Sequence, residues 1–110
     1  MCKQNQLIKF FPGGNAQELT KALLPYSNSP IYLTIDLDWF DPSLLPGTGT
    51  PEPGGFFWND FEVILETLIN FRIVASDIVE LSPEIDKSGV SSIVAAKVLR
   101  SLILSLENMQ

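Results

Sequence analysis

One stretch of the chain sets its architecture: Ile31-Tyr32-Leu33-Thr34-Ile35-Asp36-Leu37-Asp38-Trp39-Phe40-Asp41-Pro42. It joins a run of apolar and β-prone residues to three carboxylates. The apolar part does not alternate with polar residues, which is typical of a strand covered on both faces and favours a parallel sheet in an α/β protein. The sequence therefore predicts a buried strand that ends at Asp36 and delivers acidic side chains to one edge of a sheet.

The segments around this strand alternate in type. Residues 37–56 contain four prolines and four glycines, so we expect a long loop without a helix or a central strand, and such loops are usually functional. Alternation of helices and strands predicts an α/β fold of three α/β/α layers with a mainly parallel sheet. Besides the strand at 31–36, the predicted elements are a strand at 7–11, a helix at 16–24 capped by Asn15, a helix after Asn59, a strand at 73–81 and a helix at 90–106.

Composition excludes several classes of protein. The 110 residues suffice for one compact domain, and the formal net charge is −6. The seven basic residues are scattered, which argues against nucleic acid as a partner. No apolar run reaches the roughly 18 residues of a membrane span, and the N-terminus does not resemble a secretory signal. The single cysteine, Cys2, fits a reducing compartment, so we expect a cytoplasmic location.

The Asp36-x-Asp38 pair is the main candidate site. Carboxylates two residues apart on an extended segment point to the same side and can bind one cation or bridge two. Alternatively, Asp36 caps the strand while Asp38 and Asp41 form turns, since Asp-Pro often begins one. The same spacing also occurs in nucleotide-sugar transferases, where it binds Mn²⁺ and a diphosphate. Spacing alone leaves these three interpretations open.

Two further residues are candidates for ligand binding. Glu80 ends the second predicted strand, so in a parallel sheet it would reach the same edge as Asp36 and Asp38. It would then bind a cationic group, or it would be a solvated strand end. The hydroxyl of Thr50 would face a ligand or satisfy the backbone of the loop.

Several motifs resemble those of the ureohydrolases, the family of arginases and agmatinases. The first is Thr34-Ile-Asp-Leu-Asp-Trp-Phe-Asp-Pro42 followed by Pro46-Gly-Thr-Gly-Thr-Pro-Glu-Pro-Gly-Gly55, whose second half is closer to agmatinases. Ser76-Asp-Ile-Val-Glu-Leu-Ser-Pro83 resembles the later Asp-x-x-Glu-x-Asn/Ser-Pro segment of that family. Residues 88–99 resemble its C-terminal helix, and the resemblance covers residues 30–106.

The resemblance implies a two-manganese hydrolase that splits a guanidino compound such as agmatine into urea and an amine, as in polyamine biosynthesis. Asp36 would match the carboxylate that bridges both Mn²⁺ ions, and Asp38 a ligand of the second ion. Glu80 would match the acid that pairs with the guanidinium, and Thr50 a hydroxyl that lines the site. Arginase, guanidinobutyrase or another ureohydrolase specificity remains open.

The chain departs from the family in its length and in its metal-binding residues. Family members carry metal-binding histidines and further aspartates in an earlier half, whereas this chain has no histidine. We therefore expect a truncated, arginase-like single domain over 1–110, with an N-terminal segment and helix at 1–29. We expect no complete catalytic residue set, and little or no hydrolysis by the chain alone. Its partner would be a complementing N-terminal half or further copies of itself, and the alternative is a non-catalytic interaction module.

Overall fold

A computed structural model describes residues 16–108 of the chain. The predicted strand at 7–11 and the Asn15 cap lie outside these residues. The main elements are α1 (Ala16–Leu23), β1 (Ile31–Asp36), α2 (Trp58–Leu68), β2 (Ile73–Val79) and α3 (Val90–Asn108). Short 3₁₀ turns span Leu24–Tyr26, Leu37–Trp39 and Pro83–Ile85. The predicted α/β class and the order of the elements are confirmed.

The two strands pair in parallel and form a two-stranded sheet. Their register places Thr34 opposite Asp77 and Asp36 opposite Val79. Both strands therefore end at the same edge, where Asp36 closes β1 and Glu80 follows directly after β2. This arrangement confirms the predicted parallel sheet and brings the two acidic strand ends to one rim.

The helices cover one face of this sheet. Along β1, half-buried and exposed residues alternate strictly. Leu33 and Ile35 pack towards the helices with Ile78 of β2, whereas Tyr32 on the other face is 60% exposed. The expectation that the strand is covered on both faces is therefore wrong for residues 16–108. A tyrosine, a threonine and an aspartate at alternate positions of β1 mark the uncovered face.

Two apolar clusters join the helices to the sheet. The larger one surrounds Leu37, Phe40 and Val98, each at most 1% exposed. The smaller one packs Leu19 and Leu23 of α1 against the end of α2 and the starts of both strands. The start of the long loop therefore belongs to the apolar core, because Leu37 and Phe40 are buried between the sheet and the helices. The carboxylates between and beside these residues are consequently attached to a rigid base.

Two local predictions differ from the structure. The helix α2 begins at Trp58, ahead of Asn59, because the Asp60 carboxylate accepts the N–H of Phe57 at 2.9 Å and so satisfies the first turn. The loop after β1 begins with a 3₁₀ turn, which the density of prolines after Asp41 does not reveal. Among the described residues, no helix has the length and apolar character needed to cross a membrane.

Candidate metal-binding edge of the sheet

Asp36 stands where β1 turns into the loop. Its backbone is extended, and its Oδ1 accepts the N–H of Asp38 at 2.9 Å, which caps the 3₁₀ turn at Leu37–Trp39. The alternative considered from the sequence was that Asp36 caps the strand, whereas in the structure it caps the turn that follows the strand. The extended geometry predicted for the Asp-x-Asp pair is wrong, because the chain coils directly after Asp36. Both acids nevertheless remain within one tight turn.

Asp38 is only partly satisfied by the protein. Its Oδ2 accepts the hydroxyl of Thr50 at 2.5 Å. Its Oδ1 is buried and has no hydrogen-bond partner among the described residues. A buried carboxylate oxygen without a donor is costly, since it has lost water and gained nothing in return. Asp38 is therefore held in one orientation, with an acceptor left open.

Glu80 has an unusual backbone conformation. It is exposed, and its φ of 75° places it in the left-handed region, where it is the one residue other than glycine among those described. Such a conformation is disfavoured for a side chain with a Cβ and persists where the surroundings impose it. It directs Glu80 out of the regular alternation of β2, at the rim that β1 shares.

Thr50 and Thr48 lie on the loop that follows β1. Thr50 is exposed and bonds Asp38, so the structure places this predicted site residue beside one of the two predicted metal ligands. Thr48 is 1% exposed, and its hydroxyl has no partner in the described part of the chain. The loop is therefore packed onto the protein at Thr48 and reaches the candidate site at Thr50.

Asp41, the third acid of the opening stretch, is fully engaged by the loop. Its Oδ1 accepts the N–H and the hydroxyl of Ser43, and its Oδ2 accepts the N–H groups of Gly54 and Gly55 at 3.0 and 3.1 Å. The bonds from Ser43 are the main cause that lowers the pKa of Asp41 to about 2, and those from the two glycines add to it. Asp41 closes the loop, as its alternative interpretation as a turn residue predicted.

A different acid lies on the uncovered face of the sheet. Oδ2 of Asp77 accepts the hydroxyl of Tyr32 at 2.7 Å, while its Oδ1 is buried without a partner among the described residues. The hydrogen bond to Asp77 raises the pKa of the Tyr32 phenol, because the bonded proton is harder to remove next to a carboxylate. This pair ties the two strands together across the sheet.

The donor set at the sheet edge fits part of a cation site. Oxygen ligands with an octahedral preference are typical of Mn²⁺, and the open Oδ1 of Asp38 is the kind of atom that such an ion satisfies. Asp36 supplies a second carboxylate in the same turn. No group of three or more acidic, histidine or cysteine side chains converges on one point within residues 16–108. Asp36 and Asp38 thus fit a metal as part of a larger ligand set.

One acid with several hydrogen bonds, in the segment that precedes α3, was not among the predicted residues. Asp86 accepts four hydrogen bonds, from the N–H and hydroxyl groups of Ser88 and of Ser91. The signal that could have identified it is the spacing Asp-x-Ser, which occurs both at Asp41–Ser43 and at Asp86–Ser88. In each case the aspartate bonds the serine two residues on, as aspartates in turns often do.

These features define a class of protein. A parallel sheet with helices, two carboxylates at the end of one strand and a third acid at the end of its neighbour is the arrangement of an α/β protein with a ligand site at the carboxyl edge. The open oxygen of Asp38 adds the character of a cation site.

Known proteins share both the sequence and the fold. The model of the arginase family matches residues 9–105. An agmatinase from Chromobacterium violaceum is 38% identical over 81 residues, which are 74% of this chain and 25% of that protein. The crystal structure of the agmatine ureohydrolase of Thermoplasma volcanium superposes with a TM-score of 0.71 at 36% identity, covering 84% of this chain and 30% of that one. Proclavaminate amidinohydrolase from Streptomyces clavuligerus is 36% identical over 67% of this chain and 24% of its own length.

This chain belongs to the arginase family. The resemblance found in the sequence motifs is thereby confirmed, and so is the arginase-like α/β fold. The chain spans about a quarter of the length of the relatives that it matches in sequence. Activities of those longer proteins consequently do not transfer to this chain without further argument.

Proposed function

We propose that this chain is the C-terminal part of a manganese-dependent amidinohydrolase of agmatinase type, which converts agmatine and water into putrescine and urea. The names of its relatives support the reaction class, since they include agmatinases and an amidinohydrolase. In this proposal residues 1–110 form one partial domain. Arginase or guanidinobutyrase specificity is the nearest alternative within the same family.

The observation that carries the proposal is the free oxygen of Asp38. Its buried Oδ1 has no donor among the described residues, while Thr50 fixes the other oxygen. We assign Asp38 as a metal ligand for this reason, and Asp36 as the second ligand, since it lies in the same turn. Bound divalent ions of this kind supply a water of lowered pKa and polarise the group under attack, which is the chemistry that hydrolysis of a guanidine needs.

Glu80 is assigned to the substrate. A guanidinium is planar and presents paired N–H groups, so a single carboxylate can bind it through two parallel hydrogen bonds. Glu80 is exposed at the rim that Asp36 shares, and its left-handed backbone sets the direction of its side chain. Glu80 would thus hold the guanidinium next to the metal ligands and leave the amine end of the substrate outside the described residues.

We further propose that the chain has little or no activity by itself. Two carboxylates do not complete the coordination of two manganese ions, and the chain has no histidine to add to them. A complementing N-terminal half of the same fold, or assembly with further copies, would have to supply the other ligands. The alternative without catalysis is an interaction module that retains the arginase fold.

Complementation tests this function. The 110-residue chain is mixed with the part of the Chromobacterium violaceum agmatinase that lies outside the matching segment, and urea is measured with Mn²⁺ and agmatine. We expect urea from the mixture and not from either part alone. In the mixture, Asp38→Asn should abolish turnover, and Glu80→Gln should raise KM for agmatine. Enzyme-like turnover by the chain alone would refute the proposed inactivity, and a stable complex without turnover would favour the non-catalytic alternative.

A further inference from the structure

Hydrogen bonds hold the long loop at two places, in addition to the packing of its buried residues, such as Leu45, in the apolar core. At its base, Asp41 joins the two ends of the loop through Gly54 and Gly55, and the backbones of Asp41 and Phe56 bond at 2.8 Å. The second attachment is at Gly47, in the middle of the loop and three residues before Thr50. Among the hydrogen bonds of the described residues, those at Gly47 are the ones that connect the loop to elements far away in the sequence.

Gly47 is held on both sides of its backbone. Its N–H donates to the hydroxyl of Ser91 at 2.8 Å, and its carbonyl accepts the N–H of Ser82 at 2.7 Å. Ser91 lies in the first turn of α3 and is fully buried. A Cβ atom at position 47 would lie 2.7 Å from the Cβ of Ser91, so the close approach itself requires glycine.

The direction of the hydrogen bonds is fixed by Asp86. Its Oδ2 accepts both the N–H of Ser91 at 2.9 Å and the hydroxyl of Ser91 at 2.6 Å. A carboxylate only accepts, so the single hydroxyl proton of Ser91 points to Asp86 and its lone pairs are free for the N–H of Gly47. The chain of donors therefore runs from Gly47 through Ser91 to Asp86, and each bond strengthens the next.

The carboxylate at the end of this chain stays ionised. Hydrogen bonds from Ser88 and Ser91 hold the pKa of Asp86 far below its usual range. The connection is consequently a permanent feature near neutral pH, and it does not act as a switch there. Two residues after Gly47, Gly49 is exposed, and nothing lies within 4 Å of a Cβ atom built there.

We propose that Asp86 is a positioning residue for the candidate site: through Ser91 it anchors Gly47 and so places Thr50 against Asp38. The loop is buried at Gly47 and Thr48, and exposed again at Thr50, where the hydroxyl reaches Oδ2 of Asp38. With that oxygen occupied, Oδ1 is the atom that Asp38 presents to a cation. The link to metal binding rests on the proposed function, whereas the placement of Thr50 does not.

Two serines provide a matched pair of variants. Ser91→Ala removes the hydroxyl that joins Gly47 to Asp86. Ser88→Ala removes a hydroxyl from the same carboxylate but leaves the path to the loop intact. Asp86→Asn is a second probe, because it keeps the size of the side chain but replaces one accepting oxygen by an NH₂ group. That group would face N–H and hydroxyl donors to which it cannot bond as an acceptor. Far-ultraviolet circular dichroism and urea midpoints identify conditions in which each variant is fully folded.

The first measurement uses the metal-free chain. Amide hydrogen exchange and ¹⁵N relaxation at residues 47–50 report the order of the loop, and the amide shift of Asp38 reports its contact with Thr50. We expect Ser91→Ala and Asp86→Asn to lower protection of Gly47 and Thr48 at least tenfold and to shift Asp38, with Ser88→Ala close to wild type. Unchanged order in folded Ser91→Ala, or equal effects of both serine variants, would overturn the proposal. If Ser91→Ala does not fold, Asp86→Asn decides by the same criterion.

The second measurement separates this proposal from the proposed function. Mn²⁺ affinity should fall about tenfold in Ser91→Ala and stay within twofold in Ser88→Ala, as expected when a group that orients a metal ligand is lost. If wild type fails to bind Mn²⁺ while the loop responds as predicted, the metal assignment fails and the positioning role stands. If wild type binds and Ser91→Ala binds equally well, the link from Asp86 to the site is refuted.

Discussion

Asp38 and Asp41 lie three residues apart on the same loop, but they differ in how many hydrogen bonds their carboxylates accept. Asp41 accepts four hydrogen bonds from Ser43, Gly54 and Gly55. Asp38 accepts one, from Thr50, and its buried Oδ1 is left without a donor among the described residues. Asp41 therefore stabilises the backbone of the loop. Asp38 is held in one orientation with an acceptor oxygen that is open to a ligand.

Other acids of the chain can be compared by the same measure, the number of hydrogen-bond donors to each carboxylate. Asp86 resembles Asp41, since its oxygens are occupied by serine N–H and hydroxyl groups. Asp77 resembles Asp38 in its hydrogen bonding, because Tyr32 occupies one oxygen and the other is buried without a partner in the described part of the chain. It differs from Asp38 in its position, since it lies within β2, opposite Thr34, and not beyond the end of a strand. Acid count alone thus says little about function. The number of donors that the fold supplies to each carboxylate is more informative.

The largest effect on stability is expected from truncating the buried Phe40 side chain, which supports the loop that contains Asp38 and Asp41. Phe40 lies between Asp38 and Asp41 in sequence, is 1% exposed and contacts the rings of Trp39 and Phe61. Phe40→Ala should lower the free energy of unfolding by about 3–5 kcal/mol, measured by urea denaturation. Phe57→Ala is the control, because Phe57 is 49% exposed and should cost only about 0.5 kcal/mol. Similar losses in both variants would mean that Phe40 is not the support we describe.

A smaller effect is expected where the loop closes on Asp41. A Cβ atom at Gly55 would lie 2.7 Å from the backbone nitrogen of Asp41 and 2.8 Å from the carbonyl carbon of Phe40. Gly55→Ala should therefore destabilise the chain by about 1–3 kcal/mol, since backbone must move. Both glycine variants are measured by thermal denaturation. Gly49→Ala, with open space around its Cβ, should leave the stability nearly unchanged. Equal melting temperatures for the two variants would argue against the tight closure at Asp41.

The smallest effect concerns acid pH. The pKa of Asp41 is about 2 in the folded chain, below the roughly 3.9 of an unfolded aspartate. The unfolded chain thus binds more protons in this range, and the stability from Asp41 is present above about pH 4 and lost as the pH falls towards 2. Urea midpoints measured from pH 7 to pH 2.5 should decline less steeply in Asp41→Asn than in wild type. Parallel curves would show that these hydrogen bonds do not favour the ionised form.

Most of the fold could be predicted from the periodicity of apolar residues and from the prolines and glycines that interrupt helices and strands. β1 has the predicted bounds, α3 begins at the predicted residue, and the parallel pairing follows from the alternation of helices and strands. The start of α2 could not be predicted, because the Phe57 backbone is satisfied by Asp60 and Phe is a poor cap by residue type. The uncovered face of β1 was also missed. An uninterrupted β-prone run is typical of a strand with two covered faces, and here one face contains Tyr32 and Thr34.

The sequence could name candidate residues for the site, but it could not predict their geometry. The motif singled out Asp36, Asp38, Thr50 and Glu80, and the contact between Thr50 and Asp38 agrees with a shared site. Spacing could not reveal that the chain coils after Asp36, nor that Glu80 adopts a left-handed backbone. Both depend on tertiary packing. The roles of these four residues in binding metal and substrate stay predictions.

Mn²⁺ binding by matched variants tests the central distinction most directly. Wild type, Asp38→Asn and Asp41→Asn differ only in which carboxylate loses its charge, and each is titrated with Mn²⁺ near neutral pH under conditions where it is folded. We predict that Asp38→Asn weakens binding at least tenfold, whereas Asp41→Asn remains within twofold of wild type. Equal affinities in all three chains, or a larger loss in Asp41→Asn, would contradict the assignment of Asp38 as the open ligand.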